Sequence, residues 1–460
     1  MSLPAPAIAL AATLVLAPFA SSAAASNATS SAAIDAELAR QFPPRLPGAA
    51  VLVVKDGVTL LNKGYGLANV ELGVPMRPGH AFYAASVGKQ FTAAAILKLA
   101  EEGKLALDAP IRPFFPSIPP AWNGITVAHL LHHTSGIANI YTDAAFRQHA
   151  FEDHTPAQLL AQAIAMPLLG PPGSAFAYSS ANYTLLAMII EQVTGEQYDA
   201  YLARRFFKPL GMAHTTYIRD DSLIEGVVTP YEPGPRLAAR WSRTLLFGGG
   251  SFASTNADLA RWTAALQGGK VLGAASLTAM NTPLTLSNGK RAPYGYGVRP
   301  HTLGGELYVR SSGDIQGFHA EVVYWPRQKV FVSILSNSDE AAPYRLMPVA
   351  RRIARLAAGK PLHAVGEVSV PETRLQQLAG VYANGDDRYA YQVKDGRLQV
   401  QYPAGAKWAT LRALSPTAFY YEDNSDFRIR FTTGPDGRQR SQWFDTDPLD
   451  DDTDPVFEKL

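Results

Sequence analysis

Ser86 and Lys89 stand three residues apart in Tyr83-Ala84-Ala85-Ser86-Val87-Gly88-Lys89-Gln90-Phe91, where a helical pattern begins. That spacing places the two side chains on one helix face, so the amine reaches the hydroxyl. A serine hydroxyl is a weak nucleophile at its own pKa and needs a base beside it, a task a lysine fills when burial or a nearby cation lowers its pKa. The spacing recurs at Ser287-Asn288-Gly289-Lys290, but Asn-Gly there marks a turn with no helix after it. Acyl transfer also needs a group that hands a proton to the leaving atom. Tyr178 is the candidate, between the loop signature Pro171-Pro172-Gly173 and the helix entered through Ser179-Ser180-Ala181-Asn182-Tyr183. Ala84-x-Ser86-x-Gly88 approximates a nucleophile elbow but lacks its first glycine. His132-His133 carries no H-E-x-x-H or third-ligand pattern of a metal site.

The elements that must hold these groups follow from periodicity. A short helical pattern over 34–42 precedes the apolar run 49–54, and Asp56-Gly57 turns the chain into a second run at 58–61, a hairpin. The helix from Ser86 is apolar nearly all round, which predicts burial, and Glu102-Gly103 closes it. From 108 to 239 proline-rich loops alternate with helical segments such as 155–166 and 182–193, a mostly helical subdomain. Strand signals return from Phe247 and, after a helix at 256–266, continue at 296–299, 307–310, 319–324 and 330–335, closely spaced as antiparallel neighbours are. A basic helix at 348–358 ends this part. Runs at 389–394 and 397–402 flank Asp395-Gly396, and runs at 428–433 and 441–444 flank a turn with Asp436-Gly437. These predict a small all-β unit curled into a barrel.

The fold class expected is therefore α/β of the α+β kind: an antiparallel sheet flanked by helices, a mostly helical subdomain and a C-terminal all-β barrel-like domain. The expected division is a signal peptide over 1–25, a low-complexity linker over 26–33, a main domain over 34–359, a linker over 360–371 and the β domain with an acidic tail over 372–460. The 460 residues, 47% hydrophobic and 17% charged, suit a chain with large cores. A net charge of +2 without a Lys/Arg cluster argues against a nucleic-acid partner. The apolar run Ile8–Ala20 ahead of Ala23-Ala24-Ala25 reads as a secretory signal, too short for the roughly 20 residues of a membrane span. A periplasmic or secreted protein with no stable membrane span after cleavage is expected, and the absence of cysteine suits an oxidising compartment.

Several stretches together resemble the serine β-lactamase-like family, in its class C β-lactamase, DD-carboxypeptidase and esterase branch. The segment from Tyr83 to Thr92 resembles the nucleophile helix, Leu130-Leu131-His132-His133-Thr134-Ser135-Gly136-Ile137 the L-L-x-H-T-S-G block, and Pro172-Gly173 through Tyr178 to Tyr183 the tyrosine motif. Glu191-Gln192-Val193-Thr194-Gly195, Pro209-Leu210-Gly211-Met212 and Gly249-Gly250-Ser251-Phe252-Ala253-Ser254-Thr255 follow in the family order. The C-terminal unit is similar to a lipocalin-like extension. The resemblance implies that Ser86 is acylated, that Lys89 is its base partner, that Tyr178 is the second proton carrier, and that the backbone N–H groups of Ser86 and Asp314 hold the oxyanion. It places substrate contacts at Ser180, Ser311, Ser312 and Gly313, and it implies no cofactor and no metal.

Two departures bear on the substrate. The third motif usually carries Lys or His where Ser311 stands, beside Arg310, and the usual Tyr-x-Asn is Tyr178-Ser179-Ser180. Missing polar contacts of this kind discriminate strongly between substrates. The expected activity is thus hydrolysis of an ester, amide or D-amino-acid peptide by an exported serine hydrolase, with small-molecule or peptide substrates as partners. Arg310 and His319 are the candidates to restore the cation; the competing reading, weighed above it, makes either an exposed strand residue with no function. The competing expectation is a non-hydrolytic penicillin-binding-type relative that holds cell-wall peptide or another ligand; intact Ser86, Lys89 and Tyr178 speak for the enzyme.

Overall fold

The computed structural model describes residues 19–219, 223–239, 241–303, 305–339, 343–360, 366–384, 387–402, 408–422, 424–444 and 456–460. Residues 1–18 of the expected signal segment and the acidic tail at 445–454 lie outside these. The apolar run at 49–54 becomes β1 (Ala49–Lys55), which pairs through the Asp56-Gly57 turn with β2 (Val58–Tyr65). Its side chains alternate between two cores: Ala49, Val51 and Val53 enter one, Ala50 and Leu52 the other. A strand buried on both faces reads as a continuous apolar run rather than an alternation.

Four more strands complete the sheet: β3 (Arg299–Leu303), β4 (Glu306–Ile315), β5 (Phe318–Trp325) and β6 (Val330–Ser336). The order is β3-β4-β5-β6-β1-β2, with every neighbouring pair antiparallel, so both ends of the domain build one sheet. The face carrying Val51 and Val53 is covered by α1 (Phe19–Gln41), through Ile34 and Leu38, and by a C-terminal helix, Pro343–Ala358, through Ile353 and Ala354. The opposite face packs on the helical subdomain and on α2 (Lys89–Glu101), whose Phe91 ring meets Phe207, Phe252 and Trp262 edge-on at 5.1, 5.7 and 4.7 Å. Edge-to-face aromatic contacts of this kind add to simple area burial.

Differences from the sequence expectation are local. The first helix begins at Phe19 rather than at residue 34, so the low-complexity residues 26–33 lie within α1; their Ala-rich composition favours helix. A strand expected from Phe247 is instead a 3₁₀ turn, Phe247–Gly249, followed by a short strand, Phe252–Ser254. β4 continues five residues further than its apolar run because Ser311-Ser312-Gly313-Asp314, turn-like in composition, pairs with Val322 to His319 of β5. The C-terminal strands close an eight-stranded barrel, from Gly380–Asn384 round to Val456–Lys459, which pair with each other. Its Asp395-Gly396 turn has φ of 52° and 70°, the two positive values a two-residue hairpin takes with least strain.

Candidate active site

Ser86 does not lie on α2 itself. It sits in a single 3₁₀ turn, Ala85–Gly88, that runs directly into the helix at Lys89. Residues i and i+3 eclipse one another in a 3₁₀ turn, which is why a spacing of three aligns these side chains. Ala85 has φ 45°, a conformation that L residues adopt at a cost and that turns the chain sharply ahead of Ser86. Two glycines allow other backbone to close on this turn. A Cβ at Gly250 would lie 2.0 Å from the Ala85 carbonyl oxygen, and one at Gly313 would lie 2.1 Å from that of Ala84 and 2.9 Å from the Ser86 nitrogen.

Three polar groups meet at the Ser86 hydroxyl. Lys89 is fully buried, and its Nζ donates to Ser86 Oγ at 3.1 Å and to the Gly249 carbonyl at 2.8 Å. The Tyr178 hydroxyl donates to the same Oγ at 3.0 Å. The Lys89 Nζ also stands 5.0 Å from the centre of the Tyr178 ring and 5.5 Å from that of Tyr183. No ion pair to Lys89 occurs among the described residues.

The Tyr178 loop is held from behind by His133. Its Nδ1 accepts from the Ser179 backbone N–H at 3.1 Å and from Asn182 Nδ2 at 3.3 Å, and its ring lies 4.2 Å from that of Tyr178. Asn182 is in turn oriented by Ser135, whose hydroxyl donates to Oδ1 at 2.7 Å. Burial, with the charges of Lys89 and Arg299, drives the His133 pKa well below its usual value, so it is a neutral support. His132 Nδ1 instead bonds the Tyr294 carbonyl at 3.0 Å, and burial lowers its pKa to about 4. The adjacent histidines are thus occupied separately, and among the described residues no group of His, Cys, Asp and Glu could hold a metal ion.

A cleft of about 250 Å³ opens over Ser86 and Tyr178, with Ser180, Ser311, Ser312 and Asp314 in its walls. Ser86, Lys89, Tyr178, Ser180, Ser311, Ser312 and Asp314 are therefore brought to one place, with Gly313 packed behind Ser86. The pairing of β4 with β3 ends at Arg310 opposite Arg299, so the edge of β4 from Ser311 onward is open to the cleft. The second Ser-x-x-Lys, Ser287 to Lys290, lies in an exposed turn.

The basic residues differ from expectation. Arg310 is tied to buried Glu321 through Nε and Nη2 at 2.5 and 2.8 Å, and so is not free to act as the cation of the cleft. His319 lies between two carboxylates, with Nδ1 2.7 Å from Asp314 Oδ1 and Nε2 2.9 Å from Asp339 Oδ1. Burial alone would lower its pKa; the two carboxylates overcome that and raise it to about 9. Arg299 lines the cleft beside Arg310, and its guanidinium stands among rings rather than carboxylates, 5.2, 5.8 and 6.0 Å from the Tyr294, Tyr178 and Phe176 ring centres. Asn139 brings an amide to the same wall, its Oδ1 accepting from the Ser180 N–H at 3.3 Å. Neither residue was singled out by sequence. The run Tyr294-Gly295-Tyr296-Gly297-Val298-Arg299 carried a usable signal, since a Cβ at Gly297 would lie 2.6 Å from the Lys89 carbonyl oxygen.

The profile of the Beta-lactamase family matches residues 36–356. "Protein flp" of Staphylococcus aureus (strain MW2) is 40% identical over 179 residues, which is 37% of this chain and 35% of that protein. A D-aminopeptidase of Gluconobacter oxydans is 25% identical over 355 residues, 76% of this chain and 64% of that one. This chain thus spans about a third of the first protein and under two thirds of the second. The octameric penicillin-binding protein homologue from Pyrococcus abyssi superposes with a TM-score of 0.65 at 25% identity, over 93% of this chain and 99% of that one.

Proposed function

This chain belongs to the Beta-lactamase family, and from that premise we propose that it is a serine hydrolase that cleaves amides or peptides of D-amino acids through an acyl-enzyme on Ser86. The observation that carries the reading is the convergence of Lys89 Nζ and the Tyr178 hydroxyl on one Oγ, at 3.1 and 3.0 Å. In this reading Ser86 Oγ attacks the substrate carbonyl while neutral Lys89 takes its proton. The carbonyl oxygen gathers negative charge against the backbone N–H groups of Ser86 and Asp314, donors that need no reorganisation as the charge develops. Tyr178 gives its proton to the leaving nitrogen as the C–N bond breaks. A water then attacks the acyl carbon and yields a proton to the Tyr178 phenolate, and Lys89 returns its proton to Oγ as the ester opens. Both side chains end as they began.

The substrate class follows from what the cleft holds. Ser180 and Ser311 stand where the family's amide and cation engage β-lactams, which argues against that substrate, and the D-aminopeptidase relative supports a D-amino-acid one. The positive charge of the cleft comes from Arg299 on the neighbouring strand. Export is part of the same proposal, supported by the apolar run Ile8–Ala20 ahead of Ala23-Ala24-Ala25.

Intact-mass measurement after treatment with a fluorophosphonate, and separately with a penicillin, tests the reading. One fluorophosphonate adduct is expected on the wild type, none on Ser86→Ala and a strongly slowed one on Lys89→Ala. An unlabelled wild type refutes an acylated serine, and full-rate labelling of Lys89→Ala refutes lysine as its base.

A further inference from the structure

The cleft is polarised along the edge of β4. At one end stands the Arg299 guanidinium, opposite Arg310 in the strand register. Asp314 lies four residues further along the same strand, about 13 Å away at the rise of an extended chain. Its side chain is 40% exposed and lines the cleft with Ser86 and Tyr178. One carboxylate oxygen, Oδ1, is engaged by His319 Nδ1. Oδ2 has no partner among the described residues.

The charged groups around Asp314 do not balance. Both ring nitrogens of His319 face carboxylates, so both carry protons and the ring is an imidazolium. Asp339 also accepts the Gly317 N–H at 2.7 Å, which commits it to the protein. Glu321, the next carboxylate, is neutralised by Arg310. Two carboxylates and one imidazolium leave one negative charge, and Asp314 is the more exposed of the two carboxylates, 40% against 27% for Asp339.

We propose that the Asp314 carboxylate receives the free α-ammonium of the residue on the acyl side of the scissile bond, so that the substrates are N-terminally unblocked amino-acid amides and short peptides. The inference rests on the acyl-enzyme reading above, because that reading sets the register. If the Asp314 N–H binds the carbonyl oxygen at about 2.9 Å, the α-carbon beside that carbonyl lies over the same residue. Its ammonium is then within reach of the Asp314 side chain. An acetylated or otherwise blocked amine puts a neutral group there, strips solvent from the carboxylate and returns no charge to it. His319 and Asp339 hold the carboxylate in place.

The test is a matched pair, D-alanine p-nitroanilide and acetyl-D-alanine p-nitroanilide, assayed with the wild type and Asp314→Asn. The asparagine keeps the backbone N–H and removes the charge. The expected wild-type ratio of kcat/KM, free over acetylated, is at least about 10, the scale of one charge-assisted hydrogen bond, and in Asp314→Asn it falls to about 1 or inverts. A wild-type ratio near 1, a ratio unchanged in the variant, or a wild type that cleaves neither anilide overturns the inference. Fluorophosphonate labelling of the same samples separates the two levels: a labelled wild type with any of these outcomes loses the ammonium site alone, whereas an unlabelled wild type loses the acyl-enzyme reading as well.

Discussion

Raising the pH from 6 to 10 should remove a specific part of this protein's stability, and replacing His319 with Gln should remove the same part at once. His319 is 7% exposed and tied to Asp314 and Asp339 at 2.7 and 2.9 Å, which raises its pKa to about 9. An unfolded histidine titrates near about 6.5, so the folded state holds this proton the more tightly. The contribution is complete below pH about 6.5 and is lost as pH climbs through about 9. At about 1.4 kcal/mol per unit, the ceiling is about 3 kcal/mol. The assay is urea unfolding by tryptophan fluorescence at half-unit steps from pH 6 to 10 on both proteins. Other groups titrate in this window, and the difference between the proteins cancels those that do not touch the histidine. The stability gap between wild type and His319→Gln should be about 3 kcal/mol wider at pH 6 than at pH 10. A gap that stays constant, or widens with pH, would show that the imidazolium does not bridge these carboxylates in the folded state.

Two substitutions probe the frame around the nucleophile. In Gly313→Ala the new Cβ meets two backbone atoms, 2.1 Å from the Ala84 carbonyl oxygen and 2.9 Å from the Ser86 nitrogen, so this end of β4 must move away from Ser86. Displacing an oxyanion donor costs about 100-fold or more in kcat; kinetics within threefold of wild type would refute the close approach. Glu321→Ala leaves the Arg310 guanidinium buried without its carboxylate, and removing one partner of a buried pair costs about 3–5 kcal/mol. Urea unfolding measures this, and a loss below about 1 kcal/mol would mean that water or another acid reaches Arg310.

How much of this was legible in the sequence depended on whether the cause was local. The apolar run of β1, the Asp-Gly hairpins and the buried α2 each arise within a dozen residues or so, and pattern alone located them. The apolar pattern marks only 307–310 as strand, and Ser311 to Asp314, whose residue types favour a turn, still forms the end of a ten-residue strand. The pairing that overrides its composition comes from β5, and cross-strand packing routinely outweighs such a preference. Arg299 and Asn139 escaped notice for a related reason: each faces Ser86 only after segments far apart in the chain have come together.

The basic residues carry this argument furthest. Sequence offered Arg310 and His319 as replacements for the cation missing at Ser311, and nothing in the composition around them separates the two from Arg299. What separates them is register. In the pairing of β4 with β5, Arg310 lies opposite Val323 and Ser312 opposite Glu321, which sets Arg310 and Glu321 on a diagonal that long side chains span easily. Asp314 lies directly opposite His319, and the two bond. Both candidates are therefore consumed by carboxylates of the sheet itself, whereas Arg299, on the last strand, has aromatic rings for neighbours and the cleft in front of it. A slip of one residue in that register would turn these side chains to the other face. The charge pattern of the cleft is thus a property of strand pairing, and it becomes visible only once the partners are known.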